Sequence, residues 1–245
     1  MKQINIIISV LILFTTFLWF YYQENVLKEV SKEYIGILIF FFATITGVFI
    51  SRQGKRYNLV VRALTDFNGN LSFQYRGMEN IDEKYQEKIG LIIKKHFSYF
   101  KDDKYSWDWF MKVKTTTLTD INRLHMEIIK DGLELNKLQS HFINRSQASL
   151  LDMHKIRKNL VPLMKENIPT INWIIIWLLA AGLFISIVSF NSQFNFSESL
   201  LKALFITSIF SVMLTLFKMN KLNFYEEMPG ESSAQDVLDI IAGKK

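Results

Sequence analysis

Uncharged stretches of membrane-crossing length constrain this chain more than any other feature. A helix rising 1.5 Å per residue needs roughly 20 apolar positions to traverse ~30 Å of hydrocarbon. Gln3 to Gln23 gives 21 positions without a charge, Tyr34 to Ser51 gives 18, and Asn167 to Ser197 is uncharged throughout. The fourth stretch is shorter. Ala203 to Phe217 holds 15 uncharged positions and reaches crossing length only if Ser199 to Leu201 join it and Lys202 extends its stem to the interface; a re-entrant segment is the alternative. Crossing helices are expected at about 4–22, 34–51, 171–190 and 199–217. The first has a leading Lys2 but no small-residue cleavage pattern, and reads as a retained anchor.

The charge lies elsewhere. Arg52 to Thr170 carries 21 Lys and Arg against 14 Asp and Glu, whereas the rest of the chain carries 8 against 9. Basic residues in short flanks stay on the cytoplasmic side. Arg52, Lys55 and Arg56 follow the second crossing, Arg157, Lys158 and Lys165 precede the third, and Lys218 and Lys221 follow the fourth, so all are placed on one face of the membrane. The opposite loops offer Lys28 and Lys32, offset by Glu24, Glu29 and Glu33. Trp19, Tyr21 and Tyr22 outside and Trp173 inside suit interfacial belts. The expectation is a multi-pass protein of a bacterial inner membrane with both termini cytoplasmic.

Between Arg52 and Pro169 the apolar period is helical, with no sustained alternation of period two. The fold class expected is all-α: an integral membrane protein with four transmembrane helices and a helical cytoplasmic domain inserted between the second and third. Its parts are a hairpin at 1–51, the domain at 52–170, a second hairpin at 171–218 and a tail at 219–245 with a short helix. The second crossing should continue as Arg56 to Gln74 with Asn68-Gly69 as a break. Asn80, with Glu83 three residues on, reads as a capping box for a helix with Ile81, Tyr85, Ile89, Ile92, Ile93, His96 and Phe100 on its face, ended by Lys101 to Lys104. A third helical region from near Thr115 to Leu160 should be interrupted at Asp131-Gly132, and Pro162 and Pro169 should break the approach to the third crossing. Ser232 or Ser233 is a candidate cap for a helix at 234–242.

No cysteine occurs, which excludes disulfides, thiolate metal sites and a cysteine nucleophile. His96, His125, His141 and His154 have no HExxH or close ligand spacing, and all fall on expected helices, where packing explains them. Phosphate-binding glycine loops and a GxSxG elbow are absent, so no catalytic residue, metal or cofactor is assigned. Asp102, Asp103 and Asp108 gather near Trp107 and Trp109, and a solvated turn with packing indoles accounts for them. The basic residues of the domain are spread around helices and many have acidic partners at helical spacing, so nucleic acid is not expected as a partner. Attraction to anionic headgroups, ~1 kcal/mol per basic residue near the surface, explains the membrane-proximal ones.

Within the membrane, Gly36, Phe40, Thr44, Gly47 and Ser51 recur at spacings of four, four, three and four and share one helix face. That face continues through Asn58 and Arg62. Ser208, Ser211 and Thr215 on the fourth crossing, and Gly182, Ser186 and Ser189 on the third, make similar stripes. Small residues let helices approach closely, and Ser or Thr hydroxyls can bond their own backbone, so packing is one reading. The other is a permeation path in a homo-oligomer: Gly36, Phe40, Thr44, Gly47 and Ser51 line it, Phe40 forms a hydrophobic constriction, and Arg52, Lys55, Arg56 and Arg62 make a basic mouth favouring anions. No expected crossing carries an internal Asp, Glu or Arg, which argues against a proton relay.

The layout resembles the bestrophin-like bacterial four-helix membrane proteins. What carries the resemblance is RYNLVVRALTDF after the second crossing, YSWDWF, INRSQASLLDMHKIRKNLVPLMKENIPTINW leading into the third crossing, and LNFYEEMPGESSAQDVLDII after the fourth. In that tail Leu222, Pro229 and Gly230 match the family's element only with extra residues between them. The resemblance implies a relation to bestrophins, oligomeric anion channels whose second helix lines the pore. Their acidic calcium cluster has no counterpart here, so calcium gating is not carried over. The sequence therefore points to a homo-oligomeric channel or channel-like protein in a lipid bilayer. The alternative is a non-conducting sensor or scaffold whose helices, Leu135, Leu138 and Phe142 among them, recruit a cytosolic protein, for example in envelope stress or phage defence.

Overall fold

The structure is a computed structural model that describes residues 14–16, 18, 32–102, 116–131, 135–189, 196–222 and 230–244. The expected first crossing at 4–22, the Trp107 and Trp109 pair, Gly132 and Pro229 lie outside these residues, or nearly so. In chain order the helices are α1 (Lys32–Glu79), α2 (Glu83–Asp102), α3 (Thr117–Lys130), α4 (Lys137–Lys165), α5 (Thr170–Val188), α6 (Phe196–Asn220) and α7 (Glu231–Ile241). No strand occurs among the described residues. The protein is all-α.

Three described stretches are long and apolar enough to cross a membrane: Glu33–Glu79, Lys137–Val188 and Phe196–Asn220. They contain the second, third and fourth of the expected crossings. The chain divides into two compact units, one of residues 1–55 and 167–226, the other of 56–166 and 227–245.

In the first unit α1, α5 and α6 meet through Phe42, Ile176, Leu183, Ile206, Met213 and Leu216. A methyl at Gly54 would meet Met219, and one at Gly182 the Leu38 side chain, each at ordinary van der Waals distance. Lipid tails are as apolar as these residues, so the association gains from close packing rather than from escape from water. Three serines of the α5 and α6 stripes serve the backbone: Ser186 Oγ donates to Gly182 O at 2.7 Å, Ser189 Oγ to Ile185 O and Ser208 Oγ to Leu204 O, each at 2.8 Å.

The second unit is built as a water-soluble core. Along α1, Val60, Leu64, Phe67, Leu71, Gln74 and Met78 recur at four and three and are all buried, the spacing of a helix seam. Phe67, Leu71 and Met78 of this row share one core with Tyr85, Ile89 and Ile93 of α2, Leu118, Ile121 and Ile128 of α3, and Ile143 and Met153 of α4. Each such side chain contributes roughly 1.5–3 kcal/mol when fully withdrawn from water. Lys84 reaches Asp131 at 3.4 Å and Lys88 pairs with Glu127, which fixes α2 and α3 antiparallel. These exposed pairs add little energy, about 0–1 kcal/mol each; Tyr85 adds a hydroxyl donated to Asp131 at 2.5 Å.

Several local expectations are corrected. Asn68-Gly69 does not break α1, because Asn68 turns inward and donates to Ser233 Oγ at 2.7 Å and to Gly230 O. Helix α2 is capped by Asp82, whose Oδ1 accepts from Lys84 N at 2.8 Å, and not by Asn80. The capping box belongs to α4: Asn136 Oδ1 accepts from Gln139 N, and Gln139 Oε1 accepts from Asn136 N. Pro162 lies inside α4, one turn from its end, and only 166–169 interrupt the helical run. The last helix opens at Glu231 after Gly230, whose φ of 83° is left-handed. Ser233 donates its hydroxyl to Gly230 O rather than capping. Ala234 and Val237 of α7 enter the second unit's core, so the end of the tail belongs to that unit.

Gly77 is covered by the Phe142 ring, and a methyl at Gly230 would fall 2.8 Å from Leu64 Cβ. Gly77→Ala and Gly230→Ala should each destabilise the second unit by about 1–3 kcal/mol. Gly69, helical and exposed with nothing within 4 Å, is the control; Gly69→Ala should stabilise by about 0.5–1 kcal/mol. Denaturant titration of the purified chain in detergent, followed by helical circular dichroism, measures all three.

Candidate functional site

The five residues expected to line a path are all exposed on α1. Neither Gly36 nor Gly47 has a neighbour within 4 Å of where a side chain would begin. The opposite side of α1 holds the contacts, with Phe42 and Thr46 buried and the Thr46 hydroxyl donating to Phe42 O at 2.6 Å. The stripe therefore faces away from α5 and α6. Phe40 is 65% exposed and sits edge-on to Phe41. The exposed arc is wider than the stripe and includes Tyr34, Ile37 and Val48.

Three of the four basic residues are exposed, Arg52, Lys55 and Arg62, but Arg56 is not. It is 3% exposed, and its guanidinium donates through Nε to Leu163 O at 2.6 Å and through a terminal nitrogen to Met164 O at 2.9 Å. Those carbonyls belong to the last turn of α4, which has no further turn to satisfy them. Arg56 is a structural clasp between α1 and α4, and the exposed basic set is Arg52, Lys55 and Arg62. Residue spacing alone could not separate it from its neighbours; its place on the Val60 and Leu64 side of α1 is the signal that could have.

Sequence reasoning missed a buried polar cluster. Gln74 of α1, His125 of α3 and Ser146 of α4 are fully buried together. Gln74 Nε2 donates to Ser146 O at 2.8 Å, and the Ser146 hydroxyl donates to Gln74 Oε1. His125 Nε2 lies 2.8 Å from Ser146 Oγ and 3.3 Å from Gln74 Oε1, so it carries the proton. His125 Nδ1 has no hydrogen-bond partner. A second buried histidine, His96, stacks near Phe67 and Phe97 with Nδ1 3.0 Å from Thr117 Oγ1. Burial pushes both imidazoles down to about 4, helped at His96 by the Arg157 guanidinium. His141 and His154 are exposed. No group of three His, Asp or Glu among the described residues is placed to hold a metal ion.

Of the residues proposed for partner recruitment, Leu135 and Phe142 pack against the core and only Leu138, 69% exposed, is available. Leu91, Met126 and Ile129 are further exposed apolar side chains on α2 and α3. Comparison with family models, with curated proteins and with solved structures finds no match to the chain.

Two outcomes follow. Arg56→Gln leaves two α4 carbonyls short of a charged donor, and should cost about 2–3 kcal/mol of stability where Arg52→Gln costs under about 0.5. The histidines make the second unit acid-sensitive. Between pH 6.5 and about 4 the unfolded chain binds protons that the folded chain refuses, so stability is complete above pH 6.5 and falls as pH drops through that window. The loss is on the order of 1–3 kcal/mol per histidine. His125→Gln should flatten the slope of the unfolding midpoint against pH.

Proposed function

We propose a homo-oligomeric membrane channel or channel-like protein that passes small anions, with the second expected crossing lining the path. The supporting observation is the outward-turned face of α1. Gly36, Phe40, Thr44, Gly47 and Ser51 face away from α5 and α6, and exposed Arg52, Lys55 and Arg62 follow them. Small residues permit close approach of another copy or of a hydrated ion, a phenyl ring gates by dewetting, and cations at one end concentrate anions. The layout's resemblance to the bestrophin-like proteins adds to this reading, which puts both termini and the helical domain on the cytoplasmic side of a bacterial inner membrane by the positive-inside rule.

Planar-bilayer recording of the purified protein tests conduction. The expected result is anion-selective current that rises several-fold in Phe40→Ala and loses anion preference in Arg52→Gln, Lys55→Gln, Arg62→Gln. Current no larger than the lipid background under either polarity overturns the reading. Because the chain has no cysteine, Thr119→Cys gives a clean topology probe: it should resist an impermeant maleimide added outside intact cells and react after lysis.

The second reading, a non-conducting scaffold, has the exposed Leu138, Met126 and Ile129 in its favour. It predicts a cytosolic protein that co-purifies with the chain and is lost when these three become Ser, with bilayer recordings silent.

A further inference from the structure

On the outer side of the α5 and α6 pair lie two adjoining hollows of about 390 and 450 Å³. They share Trp177, Phe210 and Met213, and together make one groove from Trp173 and Phe217 at one end to Phe184 at the other. Trp173 to Phe184 covers about 16 Å of helix at 1.5 Å per residue. That is about one leaflet, half of a ~30 Å hydrocarbon layer. The lining is almost wholly carbon, the size is that of a ligand site, and nothing in it would hold water.

One end is different. The rings of Trp173 and Phe217 meet edge to face at 6.3 Å, bringing the start of α5 beside the end of α6. Lys221 places its ammonium 4.4 Å from the centre of the Phe217 ring, and Lys218 is the next residue on the chain after Phe217. Trp173 and Lys221 at the mouth of a leaflet-long apolar groove, with Lys218 one turn before Lys221, match an amphiphile with one negative charge: tails fill carbon-lined space, an indole marks the headgroup level, and ammonium groups meet phosphate.

We propose that this groove binds one anionic phospholipid, an acyl chain lying between α5 and α6 and the phosphate held by Lys221 and Lys218. Only the membrane-spanning character of these helices is needed, not conduction, so a silent bilayer recording leaves the lipid site standing. A lipid stably seated there would brace the α5 and α6 pair on the side that α1 does not cover.

Native mass spectrometry of the detergent-extracted protein, titrated with equal dioleoyl phosphatidylglycerol and dioleoyl phosphatidylcholine, is the test. Two basic residues near the headgroup give an expected preference for phosphatidylglycerol of about 30-fold, saturating at one lipid per chain. Lys218→Gln, Lys221→Gln should bring the ratio to about 1, and Ala181→Phe, which fills the groove, should abolish retention of both lipids. Equal retention of the two lipids by the wild type overturns the site, and so does retention untouched by Ala181→Phe. If Phe210→Cys forms a disulfide between copies, a second chain occupies the groove; if deletion of residues 1–23 creates lipid binding that the full chain lacks, that segment does. Either result also overturns it.

Discussion

A peptide group in hydrocarbon has no water to bond, so it must find its partner in its own helix. That demand accounts for most of the first unit. Ser186, Ser189, Thr207 and Ser208 obey it too, each returning its hydroxyl to a carbonyl one turn back. With polar groups satisfied locally, the helices are free to associate by shape, and Gly182 against Leu38 is the sort of contact that results. It also leaves wide apolar arcs facing outward, on α1 and along the α5 and α6 groove, which a membrane solvates and water would not.

Beyond residue 55 the same helix belongs to a unit governed by different physics. Here the gain comes from removing Val60, Leu64, Phe67, Leu71 and Met78 from water, and polar groups caught in that core must be paired by neighbours far along the chain. Gln74, His125 and Ser146 do so across three helices, with His125 Nδ1 the exception. Arg56 and Asn68 clasp α4 and the turn before α7 in the same way. The continuous α1 contributes Gln74, Arg56 and Asn68 to these ties and runs through both units.

How much could be read without coordinates differs by element. The helix boundaries inside the apolar stretches were legible because hydrocarbon thickness sets length: α5 and α6 fall within a few residues of 171–190 and 199–217. The helical faces of α2 and α3 were legible from period. Caps were not. Asn80 and Asn136 both stand three residues before a Glu or Gln, and only the second closes a box, because Asp82 intervenes at the first. Pro162 does not end α4, which runs on to Lys165 before 166–169 interrupt the helical run.

Composition and spacing alone determined that this chain is helical, that parts of it suit a membrane, and that Gly36, Phe40, Thr44, Gly47 and Ser51 share a face; these follow from chain geometry and from which solvent each stretch tolerates. Tertiary structure alone decided which way that face turns. It also took Arg56 out of the exposed basic set, brought Lys221 to the end of a leaflet-long groove, and drew α7 into the second unit. The reason is shared: orientation and partnership depend on contacts between residues far apart in the chain, such as Arg56 with Leu163, Asn68 with Ser233 and Trp173 with Phe217, and no local periodicity encodes them.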